Sequence, residues 1–324
     1  MLRWPGTVLR EHGILSMNRR NADVILKRNP RRLYPLVDDK FRTKLLAQAA
    51  GIAVPELYGV IETEHDIARF EELIGEHQSF VVKPAQGSGG KGILVVRKRR
   101  NESYIKANGE MIGIGDIGHH VSNILSGMFS LGGLPDRALV EYCVEFDPVF
   151  EHVAYQGVPD IRTIVFRGVP VAAMIRLPTR ASDGKANLHQ GAVGAGIDLV
   201  SGRTVGGVCG NRKVTQHPDT GAGLIGLEIP GWPVLLDLAT RCFDLARLGY
   251  LGVDVVLDRN HGPLVLELNA RPGLSIQLAN DRGLLPRLQA VEAIKEIPEN
   301  AAERVALALE LAGRPDDTAR ATAG

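Results

Sequence analysis

The sequence predicts an α+β fold built on antiparallel sheets. Its β-branched runs come in pairs around short glycine turns, as in "DIRTIVFRG" followed by "VPVAAMIRLP", and pairs of that kind are hairpins. They do not alternate with helices as the strand–helix–strand units of a parallel sheet would. The 324 residues suffice for one large domain or two ordinary ones with a sizeable core.

The elements follow in order. Residues 1–37 form a basic N-terminal extension, with Arg3, Arg10, Arg19, Arg20, Lys27, Arg28, Arg31 and Arg32 against Glu11 and Asp23. Such a stretch is either a solvated helical face or a basic flap over an anionic substrate or partner. "DDKFRTKLLAQAAG" reads as a helix from about Asp39 to Ala50, stopped by Gly51, and "EHDIARFEELIGE" as a second helix. "SFVVKPA" and "ILVVRK" are strands on either side of a glycine loop. Residues 101–138 resemble an insertion, with a helix in "HVSNILSGMFSL" from His120 to Leu131. "ALVEYCVEF" returns to strand, and "TRASDGKANLHQGAVGAGID" is a loop. "GWPVLLDLATRCFDLARLG" is an amphipathic helix with Pro233 in its first turn and Gly249 at its end. "ENAAERVALALELAG" is a last helix, followed by a polar, flexible tail.

Bulk properties exclude several functions. A net charge of +1 argues against a whole-chain binder of nucleic acid. Three cysteines, none in a CxxC pair, argue against a disulfide framework or a thiolate zinc site and for a reducing cytoplasm. No run of about 18 apolar residues is present to span a membrane, and no secretory signal opens the chain.

"FVVKPAQGSGGKGILVV" carries two nucleotide fingerprints that fail on context. G-x-G-x-x-G needs a helix after its last glycine, and here a β-branched strand follows. A P-loop counted back from Gly90-Lys91 finds Ala85 where its first glycine belongs and Gly92 where its hydroxyl belongs. What remains is a glycine hairpin with Lys83 upstream, either a phosphate lid or a plain flexible turn.

"GVDVVLDRNHGPLVLELNARPG" is more telling. With "RNHG" as a four-residue turn, Asp258 pairs with Pro263 and Asp254 lies opposite Glu267, with Asn269 on the same face. Two facing carboxylates repel unless a cation or proton sits between them, and carboxylate and amide oxygens suit Mg²⁺. The alternative is a solvated outer face.

Together these segments resemble the ATP-grasp superfamily, from about Asp38 to Leu278. They are similar in order and spacing to RimK-type α-L-glutamate ligases, while "HPDTGAGLIGLEIPGW" resembles ATP-grasp proteins associated with sugar transfer. The resemblance implies two antiparallel lobes clasping ATP with a reduced N-terminal region. Residues 38–145 would be the N-terminal lobe, with lysine helix, lid and insertion. Residues 146–281 would be the catalytic lobe, and 282–324 a C-terminal helix and flexible tail. It implies Lys40 and Lys83 on ATP phosphates, and Gly87, Ser88, Gly89 and Gly90 as the lid. Glu141, Tyr142 and Val144 would hold adenine, partly through backbone, and Glu145 the ribose. Lys185 and Asn187 would lie in the catalytic loop, Lys185 near the γ-phosphate. Arg162 and Arg176 would face the carboxylate and acyl-phosphate, and Asp254, Glu267 and Asn269 would bind two Mg²⁺, with Mn²⁺ as a substitute.

The implied reaction is ATP-dependent ligation of a carboxylate to an amine through an acyl-phosphate, with glutamate or another amino acid and an acceptor that is a small molecule, peptide or glycan precursor. The sequence leaves open modification of an amino-sugar or polysaccharide precursor, a non-catalytic nucleotide-binding role, and a homo-oligomer.

Overall fold

Every strand pairing among the described residues is antiparallel, in one six-stranded and one seven-stranded sheet. The computed structural model describes residues 9, 11–87, 89–130 and 132–314; Ser88, Arg3, Arg10 and the tail from 315 onward lie outside them. The chain divides into two compact units, one of Asp39–Leu45 and Val54–Glu145, the other of the remainder. The boundary runs through the helix Lys40–Ala49.

The smaller unit is built on β1 (Leu57–Ile61), β2 (Phe80–Pro84), β3 (Leu94–Arg100), β4 (Ser103–Lys106), β5 (Met111–Gly113) and β6 (Ala138–Glu141), in the order β1-β6-β2-β3-β4-β5. Phe80 anchors its core, meeting Phe70 and Tyr104 edge-on at 5.5 and 5.7 Å. The segment 101–138 is built into this sheet. β4 and β5 complete it, and the helix Ile114–Leu125 lays Ile117, Val121 and Ile124 into the core. This helix starts at Ile114 rather than His120. The Asp116 carboxylate caps it by accepting the Gly113 N–H at 2.9 Å, and the apolar spacing overrides the poor helix propensity of Gly115 and Gly118.

The larger unit carries β7 (Asp160–Phe166), β8 (Val169–Leu177), β9 (Val193–Ile197), β10 (Thr204–Cys209), β11 (Arg212–Val214), β12 (Tyr250–Asp258) and β13 (Gly262–Asn269), in the order β11-β10-β9-β8-β7-β12-β13. β9 falls inside the stretch read as loop. Its "VGAGI" composition hides a strand because Gly196 lies under a helix end, where an added Cβ would come within 2.5 Å of the Ala279 carbonyl oxygen. The helix Trp232–Ala246 forms as expected but stops on Arg247, in left-handed conformation at φ 53°, rather than at Gly249.

The β12–β13 hairpin reaches the expected pairing by a different path. Its turn has three residues, not four, so Asp258 pairs with Gly262 and Val255 with Val265. A bulge then leaves Leu266 unpaired, and Asp254 meets Glu267 as counted.

The described part of 1–37 is not a detached extension. Leu15, Val24 and Ile25 join the core of the larger unit, and Arg20 is buried, donating to the Pro272 carbonyl at 2.8 Å. Asn29 ties this segment to the sheet. Its amide donates to the Tyr250 and Ala270 carbonyls at 2.7 and 2.9 Å, and its oxygen accepts the Tyr250 N–H at 2.9 Å. Asn29→Ala would strand these buried backbone groups and should lower stability by about 3 kcal/mol in urea denaturation; a loss below about 0.5 kcal/mol would show that the tie carries no weight.

Candidate functional site

Each unit holds one buried charge cluster. In the smaller unit the centre is Glu141, 3% exposed at the end of β6. Pairing of β2 with β6 brings Lys83 to it as an ion pair, and the helix Lys40–Ala49 supplies Lys44, whose Nζ lies 2.7 Å from Glu141 Oε2. Lys44 also donates to the Pro55 carbonyl. Burial would raise the Glu141 carboxyl, but Lys83 and Lys44 outweigh it and hold it below its ordinary value. Burial pulls Lys44 below the ordinary lysine value, against the attraction of Glu141 and with repulsion from Lys83 adding to it.

The Glu141 side chain is taken up by lysines. Lys44 was missed, although it stands four residues after Lys40 and thus one helical turn on. Tyr142 N–H is bonded to the Glu56 carbonyl at 2.8 Å, and the Val144 carbonyl accepts from Arg97 at 3.2 Å, while Glu145 is exposed.

The glycine loop leaves β2 and returns as β3, with Val82 opposite Leu94, so the strand-loop-strand reading holds and a helix does not follow. Its flanks are tethered. Lys40 Nζ donates to the Gly87 carbonyl at 2.5 Å, the Gln86 N–H to Asp136 at 2.9 Å, and His120 Nε2 meets the Gly92 carbonyl at 2.9 Å. Gly89 and Gly90 sit at φ 64° and 76°, a region only glycine adopts without strain.

The larger unit has a wider network, laid out by sheet register. Asp254 on β12 stands opposite both Arg162 on β7 and Glu267 on β13, while Asp160 stands opposite Arg176 on β8. Arg162 grips Asp254 bidentately, Nε to Oδ1 at 2.7 Å and Nη2 to Oδ2 at 2.5 Å. Arg176 bonds both Asp160 oxygens and reaches Asp254 Oδ2 at 2.8 Å. The Asn269 amide donates to the same oxygen at 3.3 Å. Burial would raise the Asp254 carboxyl, but Arg162 and Arg176 hold it below its ordinary value. Asp160 is displaced the other way, upward, by burial and by the charge of Asp254, which together exceed the pull of Arg176. Asp160 was also missed; its signal is an acid two residues before Arg162, on the same face of an apolar strand.

Arg162, Arg176, Asp254 and Asn269 are therefore in contact, with Glu267 opposite Asp254. Lys185 is not tied to them; its ammonium is about half exposed and 3.7 Å from Asp183. Asn187 caps a short turn, accepting the His189 N–H at 3.0 Å. The loop that holds both is fastened by the "HPDT" segment. Buried His217 meets the Pro178 carbonyl through Nε2 at 3.0 Å, and Asp219 accepts the Arg180 N–H at 2.7 Å.

Three hard oxygen donors on adjoining strands are the set that Mg²⁺ takes. Among the described residues no group of three or more His, Cys, Asp or Glu is placed to hold a metal ion. The donors fit the ion in kind, but four N–H contacts occupy the Asp254 oxygens, so a cation there competes with guanidinium.

Residues 19–293 match the model of the sugar-transfer associated ATP-grasp family, and the chain belongs to that family. It is 26% identical over 238 residues to a probable alpha-L-glutamate ligase of Maridesulfovibrio salexigens, covering 73% of this chain and 56% of that protein. It is 31% identical over 123 residues to a D-alanine–D-alanine ligase of Dechloromonas aromatica, covering 38% of each. The D-cycloserine synthetase DcsG aligns with a TM-score of 0.46 at 17% identity, over 85% of this chain and 73% of that one. The chain spans little more than half the length of the glutamate ligases it matches.

Glu141→Gln leaves two buried ammonium groups without their carboxylate and should cost about 3–5 kcal/mol at pH 7. Because folding depresses the Glu141 pKa, its contribution is present above the unfolded value near ~4.3 and fades as pH falls further. Urea midpoints across pH 3–7 should therefore converge for variant and parent at the acid end; a constant gap would refute the assignment.

Proposed function

We propose that the protein is an ATP-dependent carboxylate–amine ligase that forms an amide through an acyl-phosphate and releases ADP and phosphate. The observation that carries this reading is the register that gathers Asp254, Glu267, Asn269, Arg162 and Arg176 onto neighbouring strands, in a chain of ATP-grasp family. A carboxylate is a poor electrophile towards an amine. Its oxygen attacks the γ-phosphorus of ATP, ADP leaves, and the acyl-phosphate forms. The amine then attacks the acyl carbon, phosphate leaves with the C–O electron pair, and the amine gives up a proton. Several anionic groups meet in this sequence, and preorganised cations stabilise the charge as it moves.

In this reading Lys40 and Lys83 bind ATP phosphates, and Gly87, Ser88, Gly89 and Gly90 cover them with backbone N–H groups. Tyr142 and Val144 hold adenine by backbone, with Glu145 on the ribose. Arg162 and Arg176 bind the substrate carboxylate and acyl-phosphate, and Lys185 approaches the γ-phosphate from the loop that Asn187 shapes. Asp254, Glu267 and Asn269 would hold two Mg²⁺, which when bound neutralise phosphate charge and polarise the transferring group. The amino acid, with glutamate first among candidates, and a cytoplasmic location belong to the same proposal. A second reading, an acceptor that is an amino sugar or polysaccharide precursor, is favoured by the 217–232 segment and the family's description. A purely nucleotide-binding role fits less well with Asp254, Glu267 and Asn269 all in place.

ADP and phosphate should be released only when ATP, an amino acid and an acceptor are supplied together, with the product identified by mass spectrometry from pools of amines, peptides and amino sugars. AMP as the only product, or no nucleotide turnover in any pool, would refute the reading. Glu267→Gln should lower turnover at least about 100-fold with an unchanged unfolding midpoint; unaltered turnover would remove the metal assignment.

A further inference from the structure

A cleft of about 780 Å³ in the larger unit lies away from the acid–arginine array. It opens at the hairpin-turn end of β7 and β8. Arg167, which lines it, is five residues beyond Arg162, about 17 Å along an extended chain. Five cationic side chains and two carboxylates line it. Its volume lies in the range of small-molecule sites.

The charges are not equivalent. Arg304, 2% exposed, grips Asp244 with both terminal nitrogens, at 2.9 and 2.5 Å, and lies over the Phe243 ring at 5.3 Å. This neutral pair lines the cleft beside an aromatic face. Arg28 is spent on Glu292. Arg167 and Arg247 differ. Arg167 donates only to the backbone carbonyls of Val291, Glu292 and Ile294, and Arg247 only to the carbonyl of Asp244. Among the described residues neither is paired with a carboxylate, so both guanidiniums stand unopposed at the cleft wall. Lys27 adds a third, 66% exposed and only loosely paired with Asp23 at 3.7 Å. Glu299 is the one lining acid that is not Arg304's partner.

The backbone around the cleft is held firmly. The Gly249 N–H bonds the Arg28 carbonyl at 2.9 Å, and the Arg167 N–H bonds the Gly249 carbonyl at 2.8 Å. The basic N-terminal segment, the β7–β8 turn and the end of the helix Trp232–Ala246 are thus stitched at one point, each delivering a cation to the same space. Carboxylate-free guanidiniums present planar forks that match phosphate oxygens, and the Phe243 face offers apolar contact to the rest of a ligand.

We propose that this cleft is a second binding site for a small phosphate-bearing molecule, held by Arg167, Arg247 and Lys27. The proposal is independent of the ligase reading. Inorganic pyrophosphate is a suitable probe, titrated calorimetrically into the full chain at low salt. Since the lysines of the smaller unit could also take it, the titration is run in the Lys83→Met background as well. Arg247→Gly suits the test because its left-handed backbone favours glycine, so the charge goes while the fold stays. Lys27→Glu, on an exposed side chain, is the second variant. In both backgrounds a site should persist that each substitution weakens at least about tenfold and that added salt weakens further. No binding at millimolar pyrophosphate, or binding that Lys83→Met removes and Arg247→Gly and Lys27→Glu leave unchanged, would overturn the proposal.

Discussion

The larger unit is organised by one demand: the Asp254 carboxylate, 3% exposed on the strand next to the edge of a seven-stranded sheet, must meet positive charge. An unpaired carboxylate in that position would cost several kcal/mol, whereas a pair with good geometry roughly breaks even. The chain meets the demand with guanidiniums from two strands, Arg162 and Arg176, and then needs Asp160 to balance the second. Each of these side chains is placed by register, not by a flexible loop. A one-residue slip of β7 against β12 would turn Arg162 to the opposite face, so the network specifies the pairing as much as it depends on it.

The smaller unit repeats the logic with lysine. Glu141 is set among apolar neighbours on β6 and fixes the ammonium groups of Lys83 and Lys44. A buried lysine without that partner would tend to give up its proton. With it, Lys83 has a fixed place beside the start of the glycine loop. The Glu141 carboxylate is thus the residue that positions both lysines.

Much of this was legible in the sequence, and the failures share a cause. Hairpin pairing fixed the β12–β13 face, and it did so despite a miscounted turn, because the Leu266 bulge returned the register to the one that alternation demanded. The glycine hairpin and Lys83 could be read because a strand rather than a helix follows. Residues whose role depends on distant neighbours could not. Lys44 and Asp160 look like ordinary surface charges until β6 and β8 are brought beside them. "VGAGI" looks like a loop until the Ala279 carbonyl explains why its residues must be small. The N-terminal segment looks like a free basic arm, although Asn29 and Arg20 build it into the sheet.

The crowding of Asp254 bears on the proposed chemistry. Its Oδ2 takes contacts from Arg162, Arg176 and Asn269, and its Oδ1 one from Arg162. A ligand pocket that must be stable both empty and full faces a conflict, since metal-binding carboxylates repel each other when nothing lies between them. Guanidinium meets it in this structure. In the proposed ligase an arriving phosphate or carboxylate would offer Arg162 and Arg176 new acceptors, and Asp254, Glu267 and Asn269 would then be the residues to hold a divalent ion that neutralises phosphate charge. Rigid strands with exchangeable charge partners are the economical arrangement for a site that handles several anions in turn.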